Sequence, residues 1–170
     1  MSRPEALSAA AFWEFSLAFY RRPTIARACL SLQDRRNADV NLILLCCWLA
    51  SRRETIDEGG LRAAVAAVAD WRRRVIEPLR TVRHAVPDVA EISADERQAM
   101  KATLLAAELD AERIEQSRIA AVVAPHVAAA NPVAAPREIA RETLGTYLGL
   151  LVGEPSVQDR TDLDVLLEPL

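Results

Sequence analysis

Apolar residues recur at helical spacing along most of this chain, and the breaks between periodic stretches carry helix punctuation. Ser8 is placed to cap a helix over about residues 9–21, with Phe12, Phe15 and Phe19 at i, i+3 and i+7. Pro23 suits the first turn of a second helix, about 23–34, which turns Ile25, Cys29 and Leu32 inward. Arg35 to Ala38 form a short connection. Asp39 or Asn37 then caps a third helix of about 40–52 that is apolar nearly all round, and such a helix belongs at the centre.

Glu54 to Gly60 reads as a loop. A long helix follows from about Leu61 to His84, with Leu61, Val65, Val68, Val75, Leu79 and Val82 inward and Arg72 where another apolar residue should stand. Pro78 lies inside it and predicts a kink or break. Ser93 and Glu96 make a capping box that opens a helix reaching about Val123, with Met100, Leu104, Ala107, Ala111 and Ile114 as its seam. Val127 to Pro136 reads as a linker. A last helix, about Arg137 to Val152, buries Ala140, Leu144, Tyr147, Leu148 and Leu151. The pattern predicts an all-α, single-domain bundle of five or six helices. Residues 1–126 form its helical core, 127–136 the linker, 137–152 the C-terminal helix and 153–170 an acidic, leucine-rich tail. That tail can form one turn of helix, and either folds back or serves as a docking peptide.

Composition supports the helical reading: the 170 residues are 51% hydrophobic, and only five are glycine, none among the first 58. A net charge of −3 speaks against nucleic acid as the main partner, because phosphate binding needs a positive surface. Cys29, Cys46 and Cys47 have no zinc spacing, and the last two lie in an apolar run, as buried free thiols in a reducing cytoplasm would. The longest apolar run, Leu42 to Ala50, is less than half of the ~20 residues a membrane span needs. No basic region opens the chain, so no signal peptide is expected.

Six of the eight aromatic residues lie between Phe12 and Trp48, flanking the polar group Gln33, Asp34, Asn37, Asp39 and Asn41. The run FWEFSLAFYRRPTIARACLSLQDRRNADVNL resembles the signature FWxFSLxxYxxPxVxxACLxLQDxxxxDVNLLL of a proteobacterial family, domain of unknown function 2390. Phe12, Trp13, Phe15, Tyr20, Pro23, Gln33, Asp34, Asp39 and Asn41 are among the matching positions, and Ile25 replaces a valine. The likeness extends to Trp71, Pro78, Leu79 and Arg80. The resemblance implies no activity and transfers no catalytic residue.

Two constellations carry candidate chemistry. In the polar group, Asp39 and Asp34 can cap and close the flanking helices, contact a partner or ligand, or act as acid and base. A surplus of outward groups (Gln33, Asn37, Asp34, beside Arg35 and Arg36) would make a protein-binding patch. Arg73, Arg80 and Arg83 stripe one long helix, and Lys101, Glu108, Glu112 and Glu115 stripe the next; the stripes either pair or leave arginines free for an anionic ligand. His84 and His126 lack a partner glutamate three residues earlier, and no nucleophile elbow, P-loop or dinucleotide fingerprint occurs. No metal and no cofactor is expected. The expectation is a non-enzymatic cytoplasmic protein that acts by protein binding, with self-association left open. The alternative is a binder of a small anionic or lipid-like ligand, followed by an enzyme using Asp34 and Asp39.

Overall fold

A computed structural model describes residues 7–129 and 133–170. Seven helices carry the fold among the described residues: α1 (Ala9–Tyr20), α2 (Pro23–Arg36), α3 (Val40–Ser51), α4 (residues 58–85), α5 (Ala94–Val123), α6 (Pro136–Val152) and α7 (Val157–Leu167). The all-α class stands, with seven helices where five or six were expected. The additional one is α7. Ser156 caps it through the Asp159 N–H while the Asp159 carboxylate accepts from the Ser156 N–H, so the tail begins as a full helix.

Helix α3 is the centre, with residues 41–50 all buried. Asp39 caps it, accepting from the Asn41 N–H at 2.8 Å. Phe12 of α1 stacks on Trp48 at 5.0 Å between ring centroids. Leu144 and Leu148 of α6 and Leu163, Leu166 and Leu167 of α7 complete the same core. Arg35 and Arg36 of α2 hold the start of α7 through Asp159, and Arg35 also bonds Asp162. Although burial opposes it, bonds from Arg36, the Ser156 backbone and Arg35 keep the Asp159 carboxyl well below its ordinary range.

Two expected irregular stretches contain a small sheet. Strand β1 (Glu54–Ile56) pairs antiparallel with β2 (Val127–Ala129), Thr55 opposite Ala128. The loop expected over Glu54–Gly60 is therefore a strand followed by an Asp57-capped helix start, and the expected linker begins as a strand. Residues 130–132 of that linker lie outside the described residues. Gly60 is required here: a Cβ on it would come within 2.5 Å of His126 Cβ.

Pro78 produces no break. Helix α4 passes through a π-helical turn, Arg72–Ile76, in which the Glu77 N–H reaches the Arg72 carbonyl. Pro78 has no N–H to offer, and the wider turn absorbs the mismatch. One extra residue in the turn rotates everything downstream by about 100°. Ile76 is buried as a result, while Val82 is 52% exposed. The inward positions after the turn are Arg80 and Arg83.

Helix α5 departs from its expected seam in the same direction. Met100 and Ile114 are 50% and 48% exposed, whereas Glu108, Glu115 and Gln116 are buried. The arginines of α4 and the amide of Asn41 need partners in a dry interface, and these polar side chains supply them.

Candidate binding cleft

Five helices leave a cleft of about 520 Å³ between them. Its lip is apolar: Trp13 and Leu17 from α1, Leu30 from α2, and Leu105 and Leu109 from α5. The four leucines are 38–45% exposed. Its floor is the first turn of α3, with Val40, Asn41 and Leu44. One end is closed by Gln33, Arg80, Arg83, Glu108 and Glu112.

That end is a latch between α4 and α5. Glu108 accepts from Arg80 Nε at 2.9 Å and from Arg83 Nε at 2.6 Å. Arg80 also donates to Gln33 Oε1 at 2.7 Å and to Glu112 at 3.2 Å. Burial disfavours the Glu108 charge, but the bonds from Arg83 and Arg80 outweigh it and hold the carboxyl below its ordinary range. Glu112 goes the other way. Burial pushes it up to about 7, against the pull of Arg80.

Beneath the floor lies a buried amide and carboxyl network. Gln116 donates to Asn41 Oδ1 at 2.8 Å and to Ser16 at 3.0 Å. Asn41 donates to Glu115 Oε2 at 2.5 Å. Burial, and then the neighbouring Asp39 charge, push Glu115 up to about 8. Burial raises Asp39 as well, partly offset by Arg72. Among the described residues, Asp39 Oδ2 and Glu115 Oε1 have no hydrogen-bond partner, and both residues border a void of about 10 Å³ behind Arg80.

The polar group singled out in the sequence disperses to different tasks. Asn37 ends α2 in the left-handed conformation, φ 54°, and its carbonyl and side-chain oxygens accept from Arg72 at 3.0 and 2.9 Å. Gln33 braces Arg80, and Asp34 stands exposed at the cleft edge. Asp34, Arg35 and Asn37 remain exposed, but Arg35 and Arg36 are engaged by α7 and Asn37 by Arg72. Asp34 and Asp39 line different cavities, which counts against an acid and base pair. Tyr147 of α6 accepts the Asp39 N–H at 2.8 Å, a contact no local pattern signals.

The two stripes meet only in part. Arg80 and Arg83 find Glu108 and Glu112, while Arg73 pairs locally with Asp70 and Glu115 serves Asn41. The lip leucines escaped the sequence reading. The signal was present in Leu105 and Leu109, an i, i+4 apolar pair beside Glu108 and Glu112 and off the expected seam.

The thiols of Cys29, Cys46 and Cys47 are unpaired and buried, and burial pushes Cys29 and Cys46 up to about 12. They are packing groups. Among the described residues, no cluster of three or more His, Cys, Asp or Glu side chains is arranged to hold a metal, and no helix is long and apolar enough to cross a membrane.

No curated protein and no solved structure matches this chain. A family profile described as "Protein of unknown function (DUF2390)" does match, over residues 11–119. That span covers more than half of the chain and contains every residue that lines the cleft, from Trp13 to Gln116. The chain belongs to the DUF2390 family.

Proposed function

We propose that this protein works by binding and not by catalysis, and that the cleft is its recognition site for a small amphiphilic molecule. The observation that carries this reading is the cleft itself: a leucine lip, a polar floor and about 520 Å³ of space. Small-molecule sites are apolar concavities of about 300–1,000 Å³ with a few placed polar groups. The lipid-like form of the ligand is favoured over the anionic form because Arg80 and Arg83 already bind Glu108. Buried, unpaired thiols support a reducing, cytoplasmic setting.

Native mass spectrometry of the protein purified from its host tests the reading. The expected result is a co-purifying small molecule that is lost in Leu109→Trp, which fills the cleft from its lip, with an unchanged melting midpoint. An equally loaded Leu109→Trp protein would overturn it.

A protein partner is the second reading. Val82, Val89 and Met100 are 38–52% exposed, on α4, α5 and the turn between them, so apolar surface continues past the cleft. A partner captured equally by wild type and Leu109→Trp would favour that surface over the cleft.

A further inference from the structure

We propose that the cleft takes an uncharged amphiphile, an apolar chain ending in an amide or hydroxyl head, with the head seated between Tyr20, Gln33 and Glu112. This rests on the cleft being a small-molecule site. The first support is charge balance at the closed end. Glu108 bonds both Arg80 and Arg83, and Glu112 bonds Arg80, while Arg21 and Asp34, which line the same cleft, add one group of each sign. A charged head would leave water for a place where both arginines already bond carboxyls, and the cost of stripping its hydration would go largely uncompensated.

The second support is what remains unbonded there. The Tyr20 hydroxyl, the Gln33 side-chain N–H₂ and the second oxygen of Glu112 line the cleft without a hydrogen-bond partner among the described residues. These are a donor–acceptor, a donor and, with Glu112 raised to about 7, a carboxyl oxygen that accepts when ionised and can donate when protonated. An amide or hydroxyl head offers both kinds of group at once, whereas an ammonium only donates and a carboxylate only accepts. Burial pushes the Tyr20 hydroxyl up to about 12, so it keeps its proton at physiological pH. The chain of such a ligand lies against Leu17, Leu30 and Leu109, which are otherwise left in water.

The experiment is calorimetric titration of the full-length protein at neutral pH with octanamide, octanoate and octylammonium, which share a chain and differ in the head. The expected order places octanamide at least tenfold tighter than either ion. Tyr20→Phe should weaken octanamide several-fold and leave the two ions unchanged. Octanoate or octylammonium binding as tightly as octanamide would overturn the choice of head while leaving the cleft reading intact. Binding of none of the three would overturn both.

Discussion

Helix α3 and the tip of the hairpin formed by α4 and α5 are built on opposite principles. Every residue from Asn41 to Ala50 is buried, and the neighbours that bury them are overwhelmingly apolar. In the hairpin, Glu77–Ala85 buries no residue, and α5 has no buried residue before Glu108. Apolar packing is undirected and strong in sum. The base of the hairpin sends Leu61, Ala64, Val68, Ile119 and Val123 into the core, whereas its tip holds its place through a few directed bonds from Arg80 and Arg83 to Glu108, Glu112 and Gln33. Ion pairs of this kind fix geometry more than they add stability. The cleft lies where the two regimes meet, with α3 as its floor and the hairpin as one wall. A packed floor facing a wall held by polar bonds suits the proposed binding site.

The contrast breaks most visibly under truncation. Leu45→Ala in α3 should cost about 3–5 kcal/mol in denaturant unfolding, because the fully buried site has no room to collapse. A loss below ~1 kcal/mol would mean that α3 is not the stability centre.

Glu108→Ala should cost less, about 2 kcal/mol, since Arg80 and Arg83 are each about a fifth exposed and water can take up part of the loss. Its effect should be local. Amide exchange should accelerate across residues 77–107 and stay unchanged in α3. Uniform acceleration would show that the hairpin and the core open as one unit.

The same contrast explains what could be read from the sequence. Ser8, Asp39 and Ser93 cap the helices expected of them, because a cap is decided within three residues. The apolar run of α3 gave its central position for a similar reason: a helix without a polar face can only be surrounded. Failure came where a residue's neighbour is distant in sequence. Glu115 reads as one of the glutamate stripe and Gln116 carries no local signal, yet Asn41, 74 and 75 positions away, claims both. The π-helical turn before Pro78 moved the inward face onto Arg80 and Arg83, and no periodicity count includes such a turn. The latch of the cleft was legible as two stripes, and its lip was not.

A pH titration sharpens the contrast from the polar side. Unfolded, Glu115 titrates near 4.5, while in the fold it holds its proton until about pH 8. Between those values the folded state binds the extra proton, so stability falls as pH rises across that window. Glu115→Gln can still accept from Asn41 but has no proton to lose. Its melting midpoint should match wild type at pH 5 and exceed it at pH 8, with a shallower decline between. Raised Asp39 and Glu112 keep some slope in the variant. Parallel curves for the two proteins would remove Glu115 as the source.

The smallest stability effect should separate binding from folding altogether. Leu105 is 45% exposed on the cleft lip, on the half of α5 that buries nothing. Leu105→Ser removes little buried area and creates no cavity, so unfolding free energy should change by no more than about 0.5 kcal/mol. The same substitution takes apolar surface away from the path of the proposed ligand. Occupancy of the cleft, read by native mass spectrometry, should fall several-fold although the protein is as stable as before. A core residue cannot behave this way, because its contacts are consumed by the fold. If Leu105→Ser instead destabilises by 2 kcal/mol or more, the magnitude typical of a buried leucine, the lip is a packed interface. The hairpin would then belong to the core, and the cleft would have no open wall.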